Sequence, residues 1–151
     1  IVFRIPESVT LVRELASGLP PVWAPVGQVR QVVMNLVSNA AEAIGRQPGR
    51  IALRTGVADC DVALLERSYL YEGQRPGRYV FLEVEDNGCG MDAQTQSRIF
   101  DPFFSTKFLG RGMGLAMVLG IVRSHRGAIL LESRVGVGTK MRALLPTESG
   151  T

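Results

Sequence analysis

The sequence contains few of the features that mark several common classes of protein. It has one histidine and two cysteines in 151 residues, and Cys60 and Cys89 do not have a metal-binding spacing such as Cys-x-x-Cys. A disulfide framework is therefore not expected, and a reducing cytoplasm is the favoured location. No apolar run approaches the roughly 18–20 residues that cross a bilayer, so we expect no membrane contact by this domain.

The charge pattern excludes a second group of functions. Hydrophobic residues make up 46% and charged residues 21% of the chain, which is typical of a globular domain, and the formal net charge is +3. The arginines are scattered, without a basic cluster or an aromatic-interleaved stripe, so nucleic-acid binding is not predicted. Neither the Walker A pattern nor the dinucleotide fingerprint is present.

The pattern of apolar residues predicts a mixed α/β domain. The sequence begins at Ile1 without methionine, and we expect an excised domain with a linker or lead-in strand at 1–9, the folded domain at 10–146 and a tail at 147–151. Predicted helices cover 26–44, 93–99 and 113–125, and predicted strands cover 10–16, 51–55, 79–84, 128–133 and 139–145. Residues 58–78 are read as a hairpin-like excursion and 101–111 as a loop. This order predicts an α/β two-layer sandwich with a mixed sheet and helices on one face.

Two asparagines on the first long helix form the first candidate site. Asn35 and Asn39 are four residues apart, so their amides share one helix face. An amide oxygen is a hard, neutral donor that suits a magnesium ion already carrying phosphate oxygens. Ordinary hydrogen bonding on a helix surface explains the same pair.

Three glycine-containing segments follow. Asp86-Asn87-Gly88-Cys89-Gly90 comes directly after a strand, where a carboxylate can accept from a purine amine and glycines allow close approach to the backbone. Gly110-Arg111-Gly112-Met113-Gly114-Leu115 opens a helix, where backbone amides can face phosphate oxygens. Gly136-Val137-Gly138-Thr139 is a turn between strands. Each segment alone is also compatible with a simple turn.

Taken together and in this order, the segments resemble the nucleotide-binding boxes of the superfamily that contains gyrase, Hsp90, the histidine kinases and MutL, whose shared architecture is the Bergerat fold. The asparagine box spans 31–44, and a phenylalanine box spans 99–107. The phenylalanine box points to the sensor histidine kinases, and the Phe-Phe-Ser-Thr-Lys run with a short lid resembles the nitrogen-regulatory type. The resemblance covers about 10–146.

The resemblance implies a role for each matching residue. Asn39 is expected to coordinate magnesium with Asn35 beside it, Asp86 to accept from the adenine amine, and Thr139 to support that carboxylate. The other implied nucleotide contacts lie in the glycine and phenylalanine boxes: Gly88, Gly90, Phe100, Lys107, Gly110, Arg111, Gly112, Gly114 and Leu115. Phe103 and Phe104 are expected to anchor the lid together with Phe100, although ordinary packing explains these rings equally well.

Two positions refine the expected chemistry. Many histidine kinases have a lysine three residues after the magnesium asparagine, whereas Glu42 stands there in this chain. Lys107 and Arg111 are the alternative phosphate-binding cations, unless both are solvated lid charges. The ATP-hydrolysing relatives carry a glutamate base at the position of Asn35, and an amide cannot take a proton from water at neutral pH. This difference favours phosphoryl transfer over hydrolysis, with Asn35, Asn39 and Lys107 as the catalytic set.

The acceptor for the phosphoryl group is not apparent in the chain. His125, the only histidine, does not lie in a phosphoacceptor motif and is interpreted as a helix-end or surface residue. The predicted function is therefore the ATP- and magnesium-dependent half of a histidine kinase. Its predicted partners are the dimerisation and phosphoacceptor helices of a homodimeric parent and a response regulator. The alternatives are an ATPase-driven clamp of the gyrase or MutL class and a degenerate nucleotide-binding docking module, which Glu42 favours.

Overall fold

A five-stranded sheet forms the centre of the molecule. The computed structural model describes residues 5–101 and 114–147. The strands are β1 (Val9–Glu14), β2 (Gly49–Cys60), β3 (Gly77–Asp86), β4 (Ala128–Arg134) and β5 (Gly138–Pro146), and the helices are α1 (Val26–Ile44), α2 (Val62–Glu66), α3 (Ala93–Gln96) and α4 (Gly114–Ser124). The strand order is β1-β2-β3-β5-β4. The β1–β2 pair is parallel and the other three pairs are antiparallel, so the mixed sheet is confirmed.

The main core lies between one face of the sheet and the two long helices. Helix α1 buries Val33, Leu36, Val37 and Ala40, at the three- and four-residue spacing of one helix face. Helix α4 adds Val118 and Val122, both fully buried. The predicted helix at 26–44 matches α1, and both long helices pack on the same side of the sheet, as predicted.

One part of the predicted element order was wrong. Residues 58–78 do not form a hairpin-like excursion, because β2 continues to Cys60 and a short helix, α2, follows it. The Asp61 carboxylate caps this helix by accepting a 2.8 Å hydrogen bond from the Leu64 amide. Leu65 then packs with Tyr79 and Leu144 in a second, smaller cluster. The predicted loop at 101–111 lies, after Asp101, outside the described residues.

The face of the sheet opposite the long helices has an apolar part, where the second cluster packs under α2, and a polar part. On β3, Leu82 and Val84 join the main core, so the alternating Glu83 and Glu85 point to the other face. Glu83 accepts hydrogen bonds from Arg54 at 2.9 Å and from Arg142 at 2.7 and 3.0 Å. Burial alone raises the pKa of Glu83, but the two guanidinium groups outweigh it and hold that pKa below its usual value.

Within residues 5–101 and 114–147, no helix combines the length and the apolar character needed to cross a membrane.

The Glu83 ion pairs give a stability prediction. Glu83→Gln should lower the free energy of unfolding at pH 7 by roughly 1–3 kcal/mol, since it weakens buried charge-assisted hydrogen bonds to two arginines. Because the folded pKa is depressed, the contribution is present above the unfolded pKa and is lost as pH falls through the folded value. Urea denaturation at pH 7 and below pH 4 should therefore show a difference that shrinks in acid.

Asp59→Asn is the matched control for this prediction. Asp59 is 84% exposed and lies 3.7 Å from Arg78, so its loss should change stability by less than about 0.5 kcal/mol. Equal effects of the two substitutions would show that the Glu83 network contributes no more than a surface ion pair.

Candidate functional site

One face of α1 lines the candidate site. Asn35, Asn39 and Ala43 follow one another at intervals of four residues, so they lie in a row along the helix. With a rise of 1.5 Å per residue, the row is about 12 Å long. At one end Asn35 contacts the start of α4, and at the other Ala43 contacts the loop after β3. The site therefore has two ends joined by one helix.

Asn35 ties α1 to the first residue of α4. Its Nδ2 donates to the Gly114 carbonyl at 3.1 Å, and its Oδ1 accepts from Gln31 Nε2 at 3.1 Å. Both sides of the amide are thus engaged within the protein. The arrangement makes Asn35 a bridge between the helices and leaves less of its oxygen available for a metal than the sequence alone indicated.

Asn39 differs from Asn35 in its hydrogen bonding. The residue is half-buried, and its Nδ2 atom is buried without a hydrogen-bond partner among the described residues. A buried polar group without a partner is rare in folded proteins and calls for an explanation. A bound polar ligand would satisfy this amide. No group of three or more histidine, cysteine, aspartate or glutamate side chains in the described part of the chain could hold a metal.

Asp86 ends β3 at the other end of the row. It is 8% exposed, and its Oδ1 accepts a 2.8 Å hydrogen bond from the Gly88 amide, which fixes the carboxylate against the following turn. The same turn is held to α1, because the Cys89 amide donates to the Ala43 carbonyl at 3.1 Å. Asp86 is paired in register with Thr139 of β5. The predicted carboxylate and threonine therefore lie side by side.

The glycines of this region permit close approach of backbone to backbone. A Cβ at Gly88 would lie 2.6 Å from the Ala43 carbonyl carbon, and one at Gly90 would collide with the Arg134 carbonyl oxygen. Gly138 has a φ of 139°, and a Cβ there would collide with the carbonyl oxygen of Asp86. These contacts give Gly88 and Gly90 a packing role, and space for an adenine ring beside them stays a prediction.

Ser133 joins three parts of the site through one hydroxyl. Its Oγ accepts from the Met91 amide at 2.8 Å, donates to the Gly138 carbonyl at 3.2 Å and lies 2.7 Å from Thr139 Oγ1. Gln96 supports the same junction by donating from Nε2 to the carbonyls of Met91 and Ser133. Thr139 therefore receives its hydroxyl orientation from the neighbouring strand.

Other predicted residues are placed away from this junction or outside the described part of the chain. Phe100 is 3% exposed and packs in the main core, with its ring centroid 4.3 Å from that of Tyr69. Leu115 packs, half-buried, on the same core. The residues outside the described ranges are Phe103, Phe104, Lys107, Gly110, Arg111 and Gly112. Their contacts stay predictions.

His125 follows the end of α4, as predicted for a helix-end residue. Its Nε2 lies 2.7 Å from Gln28 Oε1 of α1, so the ring links the two long helices. Gln28 lies in the first turn of α1, two turns before Asn35 and three before Asn39. The position of His125 supports a structural role.

Sequence reasoning missed Gln31, Gln96 and Ser133. Gln31 stands four residues before Asn35 on the same helix face, and this spacing could have indicated it. Ile129, Leu131 and Ser133 occupy every second position of β4 and therefore share one face of the sheet. A serine on this otherwise apolar face could have indicated a buried polar contact. The Gln96 contacts depend on tertiary folding and left no comparable pattern.

Comparison with known proteins identifies the family and the fold. The chain belongs to the family of histidine kinase-, DNA gyrase B- and HSP90-like ATPases, whose description matches residues 26–149. Sensor kinase CckA of Brucella abortus (strain 2308) is 43% identical over 129 residues, which cover 83% of this chain and 13% of CckA. Sensory histidine kinase/phosphatase NtrB of Rhizobium meliloti (strain 1021) is 38% identical over 134 residues, covering 88% of this chain and 34% of NtrB.

A solved structure shows the same fold. The nucleotide-free catalytic domain of histidine kinase ThkA superimposes with a TM-score of 0.69 at 27% identity, covering 93% of this chain and 80% of that one. The predicted Bergerat-type sandwich and the resemblance to sensor histidine kinases, NtrB included, are thereby confirmed. The chain spans only 13% and 34% of the length of the two curated relatives named above.

The close approach of Gly138 to Asp86 gives a prediction for the site. Gly138→Ala should lower stability by about 2 kcal/mol or more, because an alanine is strained at this φ and its Cβ displaces the Asp86 carbonyl. ATP affinity should fall in the same variant. Thermal unfolding and calorimetric ATP titration measure the two effects. Gly27→Ala, where the added Cβ meets nothing within 4 Å, should leave both quantities near the wild-type values.

Proposed function

We propose that this chain is the catalytic domain of a sensor histidine kinase, which binds ATP with magnesium and presents the γ-phosphoryl group to a histidine on a separate dimerisation domain. The single observation that carries the proposal is the row of Asn35, Asn39 and Ala43 on α1. This row connects the start of α4 to the loop that holds Asp86. An unpartnered buried amide stands in its middle.

The adenine end of the nucleotide is assigned to Asp86 and Thr139. A nearly buried carboxylate can accept a hydrogen bond from an exocyclic amine, which favours adenine over bases without that donor. The Ser133 hydroxyl, 2.7 Å from Thr139 Oγ1, supports this assignment by orienting the threonine. ATP is therefore expected to bind with its base beside the Asp86–Thr139 pair of β3 and β5.

The phosphate end is assigned to Asn39 and the start of α4. The approximately 12 Å between the two ends of the α1 row suits a nucleotide in an extended conformation. Magnesium, when bound, neutralises phosphate charge and fixes the oxygens for transfer. The available donor set fits a magnesium ion held mostly by phosphate oxygens and water, with the Asn39 Oδ1 as its one protein ligand, since the described residues lack a carboxylate cluster. The buried Asn39 Nδ2 is a donor and would bond to an oxygen of the nucleotide instead.

The chemistry proposed is transfer to a delivered nucleophile. Asn35 occupies the position of a water-activating base in the hydrolytic relatives, and an amide engaged with Gln31 and Gly114 cannot accept a proton. His125 is held against Gln28 at the end of α4. The imidazole nucleophile is therefore proposed to come from the parent protein, with a response regulator as the later acceptor. The assignment to a homodimeric, cytoplasmic parent rests on the sequence arguments alone.

The two alternative functions make different demands on the site. An ATPase-driven clamp needs a carboxylate base near the γ-phosphate, and the amide at position 35 opposes it. A degenerate docking module needs no working nucleotide site, and the fixed Asp86 carboxylate together with the orphaned Asn39 amide opposes that function. Glu42, which replaces the common lysine, remains the best support for the docking module.

A transfer assay tests the proposal. Incubated with labelled ATP and magnesium, the isolated chain should neither label itself nor hydrolyse ATP at a useful rate. Adding a dimerisation domain with an acceptor histidine should produce acid-labile label on that domain, at a low rate because the covalent link is absent. His125→Gln should transfer at the wild-type rate. Label on His125, or fast hydrolysis that Glu42→Gln abolishes, would contradict the proposal.

The adenine assignment predicts the effect of Asp86→Asn. The asparagine keeps an oxygen for the Gly88 amide but loses the charge that accepts from the adenine amine. Affinity for ATP should fall roughly ten- to a hundred-fold, equivalent to about 1.5–3 kcal/mol. Isothermal titration calorimetry measures this change, and Asp59→Asn, at an exposed position of β2, should bind ATP normally. Unchanged affinity in Asp86→Asn with an intact fold removes Asp86 from the adenine site.

The metal assignment predicts the effect of Asn39→Ala. Magnesium should strengthen ATP binding by the wild-type protein and strengthen it much less in the variant, because the protein ligand of the ion is gone. ATP titrations with and without magnesium give the ratio of the two affinities directly. Ser38→Ala, one position along the same helix, should keep the wild-type ratio. A full magnesium effect in Asn39→Ala would place the ion elsewhere.

A further inference from the structure

A polar basin lies on the face of the sheet opposite the long helices. Its volume is about 600 Å³, within the usual range of ligand pockets. Most of its charged side chains come from alternate positions of β2, β3, β5 and β4, on the face away from the main core. Asp86, Ser133 and Thr139, at the adenine end of the nucleotide site, also border it. Besides Asp86, the charged residues that line it are Arg50, Arg54, Glu85, Glu132, Arg134 and Lys140. The nucleotide row on α1 lies on the other side of the sheet.

The charges at the centre of the basin are paired with one another. Arg54 donates to Glu85 at 2.7 Å and also bonds Glu83, and Lys140 lies 3.2 Å from Glu132. These pairs cross between neighbouring strands, in the register of β2 with β3 and of β5 with β4. Their formal charges offset, so the central part of the basin has little net attraction for an anion.

Two arginines at one end of the basin are different. The exposed side chains of Arg50 and Arg134 form no hydrogen bond or ion pair with any residue in the described ranges 5–101 and 114–147. They stand at the same level of the sheet, on β2 and β4, three strand spacings or about 14 Å apart. The two unpaired guanidinium groups therefore flank the end of the basin.

The floor between the two arginines is open. The strand positions that separate them are Asn87 and Gly138. Gly138 has no side chain, and the Asn87 Oδ1 accepts a 2.8 Å hydrogen bond from the Arg50 amide, which turns this side chain against β2. The Asn87 Nδ2 forms no hydrogen bond with the described residues and Asn87 lines the basin. At these two described positions no bulky side chain stands between the arginines.

We propose that this end of the basin is a second ligand site, distinct from the nucleotide row, for a small anion carrying two phosphate groups. A guanidinium fork matches the geometry of phosphate oxygens and binds them with paired, charge-assisted hydrogen bonds. The guanidinium groups of Arg50 and Arg134 stand on opposite sides of the Asn87–Gly138 position. A ligand with two phosphate groups can engage both arginines, whereas a single phosphate can engage only one. A compact anion also avoids Glu85 and Glu132, which a broad acidic protein surface would meet.

Titration with inorganic pyrophosphate, followed by NMR of the backbone amides at constant ionic strength, tests this site. The Asn87 and Gly138 amides should shift together with saturable curves. Arg50→Gln combined with Arg134→Gln should weaken this binding at least ten-fold, and Arg50→Lys should weaken it less because the charge remains. Pyrophosphate that enters the nucleotide site instead will shift amides near Gly114.

Arg75→Gln is the control for the loss of one positive charge at a distant position. Arg75 is exposed and precedes β3, whereas the basin lies where this strand ends, roughly 30 Å away along ten residues. Its substitution should change the affinity by less than two-fold. Three results would overturn the proposal: no saturable shift up to millimolar pyrophosphate, shifts confined to the nucleotide side, or equal affinity in the double variant and the wild type.

Discussion

The packing of α1 against the sheet determines where every other part of the site can lie. The apolar stripe of Val33, Leu36, Val37 and Ala40 fixes the rotation of the helix about its axis. That rotation brings Asn35 to the start of α4 and Ala43 to the loop after β3. A rotation by one residue, about 100°, would bury the asparagines and separate both contacts. The hydrophobic core thus supplies the alignment on which the polar chemistry depends.

The two faces of the sheet use charged and polar groups in different ways. On the helix side, polar groups are few and individually fixed: Asp86 by the Gly88 amide and Thr139 by Ser133. On the other side, Glu83 and two arginines form a network across three strands. Arg142 also stacks over the Phe81 ring at 3.9 Å, which shields part of the network from water. The charge network on the far face therefore adds cross-strand stability, whereas the polar groups on the helix side are held singly.

The elements that could be predicted from sequence are those with a strong local pattern. The 3.6-residue period of α1 and the apolar run of β3 gave the right elements, and the carboxylate and glycines after β3 indicated the loop at one end of the site. Helix α2 was missed because it is short and its one fully buried residue, Leu65, packs against Tyr79 and Leu144, which are distant in sequence. The engagement of Asn35 with Gly114 was equally hidden, since the two residues are 79 positions apart.

The loop that holds Asp86 is attached on its far side to the β4–β5 turn. The Cys89 carbonyl accepts a 2.8 Å hydrogen bond from Gly136, Met91 is bonded to Ser133, and Gly90 lies directly against Arg134. Neither segment can open without breaking the contacts of the other, so their amides should exchange with solvent as one cooperative unit. Sequence changes at the exposed tip, Val135 and Val137, can therefore alter the lifetime of the nucleotide complex without touching the nucleotide.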